Sequence, residues 1–260
     1  MPVFFAELLP NINELFEWKG IFGGHTLLEF NKTALMAFIS TVLCLLVFLV
    51  GARKRALVPT GMQNIAEMGY DLIEENVSVA AIGEDGRNWT PYFTALFFWI
   101  FFINIWEVIP GVQFPATSRI AIPLVLALLS WAIFIVVGVI KQGPKYFWNA
   151  INPSGVPFAL KFLVVPIEFF SKFLMRPFSL AVRLFANMTA GHLLLTIFAI
   201  MTNELLIVHT SGIYQVVFSP LPFAGLVAFT GFEILVAVLQ AYIFTILTAV
   251  FIGGAMHPEH

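Results

Sequence analysis

Ser179-Leu-Ala-Val-Arg183-Leu-Phe-Ala-Asn187-Met-Thr-Ala-Gly-His192-Leu-Leu-Leu195 is the stretch that decides how this chain folds. It is apolar enough to cross a membrane as a helix, yet an arginine stands inside it. A guanidinium cannot discard its charge by losing a proton. At the bilayer centre such a charge costs roughly 3 kcal/mol on insertion scales and roughly 10 or more for an isolated helix in simulations. An arginine near a helix end can lift its head group to the interface. Arg183 fits that reading badly, because mostly apolar helix continues from Leu184 to Ile200. A counter-charge, water or a moving ion is expected to meet it, which makes it a functional site.

The rest of the chain agrees with a membrane setting. Of its 260 residues 60% are hydrophobic and 11% charged, the composition of a polytopic membrane protein. A net charge of -2 and the lack of any basic run interleaved with aromatics exclude a nucleic-acid partner. The single cysteine, Cys44, lies in an apolar span, so no intrachain disulfide can form and no metal cluster is expected. Residues 1–30 carry Glu7, Glu14, Glu17 and Glu29, with Pro10 and a Gly23-Gly24 turn, and read as an outer tail rather than a signal peptide.

A crossing needs about 20 apolar residues. Spans are expected from Thr33 to Val50, Tyr92 to Ile109, Ile120 to Ile140, Pro166 to Met201 and Phe223 to Ala255. Between the first two, residues 59–77 alternate an apolar stripe (Met62, Ile65, Met68 or Gly69, Leu72, Ile73) with Gln63, Glu67, Asp71, Glu74 and Glu75. That is an amphipathic helix at an interface or against a neighbour. The last two stretches are too long for upright crossings. About 35 residues span about 50 Å against a core of about 30 Å, so they must tilt or kink, with Pro177 a candidate kink. The expectation is a single all-α polytopic domain of five membrane-embedded helices plus one amphipathic interfacial helix, the pair over 166–255 being long and steeply tilted. Arg53, Lys54, Arg55, Arg87, Lys141, Lys145 and Lys161 then fall on one side, placing the N-terminus outside and His260 in the cytoplasm or matrix.

On the last two spans, Glu233 and Gln240 are seven residues apart and share a helix face, about 10 Å apart along it. With Gln240 level with Arg183, His192 and Glu233 come to similar depth between the arginine and the outer surface. Intramembrane carboxylates and histidines at such spacing form proton relays. Nine residues turn His192 about 180° from Arg183, so the two serve different surfaces. Taken singly, His192 and Gln240 are more often interhelical hydrogen-bonding glue; their joint depth favours the relay.

The arginine stretch resembles the fifth-helix signature of the subunit a family of F-type ATP synthases (subunit 6 in mitochondria). Glu233-Ile-Leu-Val-Ala-Val-Leu-Gln240-Ala-Tyr-Ile-Phe-Thr-Ile-Leu-Thr resembles that family's sixth helix, and Phe102-Ile-Asn104-Ile-Trp-Glu107-Val-Ile-Pro110 its polar third helix. The likeness runs from about residue 90 to the C-terminus; the first 60 residues are similar only in layout. It implies a subunit without covalent chemistry, cofactor or nucleotide of its own. Such a subunit is the stator face of a rotating c-subunit ring, held by peripheral-stalk b-type subunits, with two offset aqueous half-channels. Arg183 would attract each deprotonated ring carboxylate and block leakage, with Gln240 beside it and Asn187 facing the ring. His192 and Glu233 would line the outer half-channel, Asn104 and Glu107 its mouth, and Glu168 the inner one. Some family members exchange the acid and the histidine at positions 192 and 233. The spacing from Glu168 to Arg183 is about one residue longer than the family's usual one, and Arg119 is unexpected there. The implied location is an energy-transducing membrane, bacterial rather than mitochondrial.

Two other classes fit the sequence less well. A secondary transporter with a midplane site predicts internal repeats, and the arginine motif is not duplicated. A purely structural anchor predicts no buried arginine. The chain has neither a paired-histidine haem pattern nor a Gly-rich nucleotide loop.

Overall fold

A run of twenty residues from Lys32 to Gly51 with hardly a polar side chain forms the first helix, α1. In the computed structural model, the structure describes residues 31–53, 56, 58–109, 112–114, 116–151, 158–205 and 220–256. The N-terminal tail, Lys54-Arg55, Pro110-Gly111, residues 152–157, most of the 203–220 connection and His260 lie outside them. The described residues are mostly helical, and no strand occurs among them. α2 is Met62–Ile73, continued by a π stretch Glu74–Val79 and Ala80–Ile82. α3 is Thr90–Ile105, α4 Ala121–Gln142, α5 Lys145–Ile151 and α6 Phe158–Phe169. A π stretch Phe170–Met175 joins α6 to α7 (Arg176–Asn203), and α8 is Pro220–Met256.

The all-helical polytopic membrane architecture is as the sequence predicts. Four helical runs are long and apolar enough to cross: Lys32–Gly51, Ala121–Gln142, Leu160–Asn203 and Pro220–Met256. The stretch read as a span from Tyr92 to Ile109 is shorter as a helix. α3 holds 16 residues, about 24 Å of rise, and gives way to turns at Trp106. Its end is where Asn104 and Glu107 stand, so the shortened helix leaves polar side chains inside the protein rather than in another turn of helix.

α3, α4, α7 and α8 pack together, and α1 lies on α2 and α3. Leu96 and Ile100, Leu126 and Ala127, Leu180, Ala181 and Leu184, and Ala241 and Phe244 meet in one core. A second core joins Ile73, Val77 and Ile82 to Phe93, Phe134, Val137, Ala249 and Ile252. Three buried hydroxyls are satisfied inside their own helices: Ser40, Thr245 and Thr248 donate to the carbonyls of Met36, Ala241 and Phe244 at 2.8, 2.7 and 2.9 Å. Indole donors tie α3 to α1, Trp99 to Thr41 at 2.9 Å and Trp106 to Ser40 at 2.8 Å.

The amphipathic helix faces the protein differently from its apolar stripe. Met62, Ile65, Met68 and Leu72 stay exposed, while Gln63, Ala66 and Ile73 are buried. Small residues decide this: Ala66 packs on Gly51 of α1, and Gly69 receives the ring of Phe98. The bulky stripe is left for lipid or a neighbour. The long stretch expected from Pro166 begins earlier, at Phe158, and the π stretch sits one turn before Pro177. A proline has no N–H and crowds the carbonyl four residues back, here Phe173 inside the π stretch, so the ladder widens there.

Candidate functional site

α7 presents two chemically different faces. Leu180, Ala181, Leu184 and Met188 point into the core, whereas Ser179, Arg183, Ala186, Asn187 and Ala190 are exposed. Arg183 and Asn187, four residues apart, stand on the same side of the helix. Among the described residues no carboxylate lies within ion-pair distance of Arg183. Gln240 of α8 is buried next to Ala241, which shares a core with Leu184, so Gln240 and Arg183 sit at the same level.

His192 lies on the other side of α7 and is buried. Its Nδ1 is 4.0 Å from Glu107 Oε1, just past the end of α3. Glu233 of α8 is buried too, and its carboxylate occupies the space over Gly191, where an added Cβ would overlap it. Only a glycine lets that carboxyl approach α7. Glu107 reaches His192 and Glu233 reaches Gly191, so the two carboxyls meet neighbouring positions of α7. Asn104 is held from behind, its Oδ1 accepting from Thr117 Oγ1 at 2.8 Å. Three polar atoms here, Asn104 Nδ2, Glu107 Oε1 and Glu233 Oε2, are buried without a hydrogen-bond partner. In a native site such atoms call for water or a passing ion. A cavity of about 330 Å³ opens beside them, lined by Lys32, Glu107, Gln113, Phe114, His192 and Thr196. Glu107 and His192 face a cavity wide enough for water and Glu233 lies behind them over Gly191, so three titratable groups from three elements can hand protons along.

A second cavity of about 690 Å³ lies at the opposite end of α4, with Gln142, Tyr146, Asn149, Lys172, Arg176 and the Val250–Ala255 end of α8 in its walls. Arg176 stacks on Phe251, with 4.6 Å from guanidinium carbon to ring centroid. Glu168 stands beside this cavity, paired to Lys172 at 2.9 Å. Along α7, Arg176, Arg183 and His192 are seven and nine residues apart, so Arg183 lies between the cavities, about 10 Å from one and about 13 Å from the other along the axis.

The sequence reading singled out neither Lys32 nor Arg176. Arg176 carried the same signal as Arg183, a guanidinium inside an apolar run. Lys32 stands at the edge of its span, where a lysine is ordinary. No group of three side chains able to hold a metal ion occurs among the described residues.

Comparison with known proteins gives one answer. The family described as ATP synthase A chain matches residues 34–253. An ATP synthase subunit a from Frankia alni is 40% identical over 246 residues, covering 94% of this chain and 83% of its own. Those from Rhodococcus erythropolis and a Methylobacterium species are 43% and 41% identical, covering 89% and 91% of this chain and 84% and 91% of their own.

Proposed function

The chain belongs to the ATP synthase subunit a family, and from that membership we propose that it is the proton-translocating stator of an F-type ATP synthase membrane sector. Arg183 carries the reading. A guanidinium halfway along a long apolar helix stands exposed, among small side chains, with no ion-pair partner among the described residues. A surface of that kind is complete only against a partner bearing a carboxylate at the same depth. A rotating ring of c subunits supplies one after another. Asn187 shares that face, and Gln240 backs it from α8.

The two cavities on either side of Arg183 support offset half-channels. The outer one would run through Asn104, Glu107, His192 and Glu233, and the inner one past Gln142, Asn149 and Arg176. Glu168 would act there through Lys172 rather than as a wall of the channel. Protons would reach the ring by one path and leave by the other after a turn, because Arg183 bars the short route. The chain binds no nucleotide in this reading; b-type stalk subunits hold it still. We place it in a bacterial cell membrane, its N-terminus outside and its C-terminus cytoplasmic. The deciding experiment is ATP-driven proton pumping by vesicles carrying the assembled Arg183→Ala complex: pumping is lost, and retained coupled pumping overturns the reading.

A further inference from the structure

We propose that Lys32 is a fixed counter-charge in the outer cavity, keeping metal cations from collecting at Glu107 in its wall and Glu233 behind it; this rests on reading that cavity as a proton path. Asn31 caps α1, its Oδ1 accepting from Ala34 N at 3.0 Å, which fixes where Lys32 begins. The Lys32 ammonium donates to the Val112 carbonyl at 3.1 Å and lies 4.9 Å from the Phe114 ring centroid. Both anchors belong to the cavity wall, so the charge is held at the cavity instead of drifting into bulk solvent. It shares that cavity with Glu107 and His192.

The other charged groups in the cluster explain why a cation is needed. Glu107 and Glu233 carry two negative charges whenever both are ionised, and His192 offsets one only when protonated. A space of about 330 Å³ holds on the order of ten waters at about 30 Å³ each, enough for a hydrated ion. Carboxylate oxygens favour hard cations such as calcium and magnesium. With no three-ligand set among the described residues, such ions would gather by charge alone, and a fixed ammonium opposes that. The opposition is twice as strong for a divalent ion. A proton feels the same repulsion singly, but a carboxylate or imidazole binds it covalently and outweighs that repulsion, whereas a hydrated metal ion would be held by charge alone. Lys32 is thus a specificity-determining residue that touches no reacting atom.

The test uses inverted vesicles carrying the whole complex, whose outer cavity opens to the lumen. Lumens are loaded with calcium chloride or with choline chloride at matched ionic strength, and ATP-driven acidification is compared within each variant. Calcium is expected to slow K32Q about fivefold or more relative to choline, while the wild type and K32R change less than about twofold. Equal rates for K32Q in both salts overturn the proposal. So does K32R behaving like K32Q, since position rather than charge would then matter. If K32Q does not assemble with the ring, the double variant K32Q/E107Q decides. Restored assembly supports the charge balance, and continued failure makes Lys32 a packing residue and overturns it. Normal pumping by E233Q would sink the half-channel reading itself, whatever K32Q does.

Discussion

Ser179, Ala186, Asn187 and Ala190 surround Arg183 with short side chains, so the guanidinium is the tallest group on a low surface. Replacing it removes the one charge a passing carboxylate could meet. Arg183→Ala is expected to lower ATP-driven pumping at least about 100-fold, the scale of losing one preorganised electrostatic contact. Arg183→Lys should fail as well, because a compact ammonium lacks the planar donor fork. In the outer cavity, Glu233→Gln keeps shape but cannot pass a proton, and flux should fall about 100-fold with assembly intact. The exchange of His192 to Glu with Glu233 to His reproduces the opposite family arrangement. It would, however, set a carboxylate 4.0 Å from Glu107, where the His192 Nδ1 now lies. Partial recovery is therefore expected only with Glu107→Gln added; proton translocation by the single, double and triple variants measures it. The sequence exposed Arg183 through cost alone, since no helix hides a guanidinium cheaply. It could not show that Glu107 folds back to His192, because that depends on α3 stopping at Ile105.

α7 and α8 meet through a gap as much as through contact. Gly191 leaves room for the Glu233 carboxylate, so the approach of the two helices is set by one missing side chain. Gly191→Ala should push the carboxyl aside at a cost of about 1–3 kcal/mol for overpacking. Loss of proton flux larger than the loss of assembled complex, read by co-purification with the ring, would show the site rather than the fold responding. At this scale the length of apolar runs predicted the long helices from sequence, and periodicity the amphipathic one. The face that α2 turns inward was not legible, since a stripe of Met62, Ile65, Met68 and Leu72 suits a lipid interface and a neighbour alike. Packing instead chose the small side chains opposite, a preference visible only when Gly51 and Phe98 are in place.

The molecule as a whole is a four-helix core with its longest members outgrowing the bilayer. α8 alone has 37 residues, about 55 Å of helix against about 30 Å of hydrocarbon. Both α7 and α8 are expected to lean strongly in the assembled complex, following the curve of the ring; a density map with both upright would contradict this. Cysteines placed at Ala186 and Ala190 should cross-link to the ring, whereas one at Leu184, in the core, should not. Cross-linking from the buried face would mean the stator surface has been chosen wrongly.

The widened turn over Phe170–Met175 also governs which lengths of this chain are viable. A π turn stores one surplus residue, so the helix on either side keeps its facing as though that residue were absent. Excising one amino acid there should straighten the ladder and leave the complex working, in keeping with the one-residue excess expected between Glu168 and Arg183. The same excision between Arg183 and His192 would swing one past the other by about 100° and abolish pumping. Insertions and deletions in descendants of this gene should therefore gather at that turn and shun the nine residues after it.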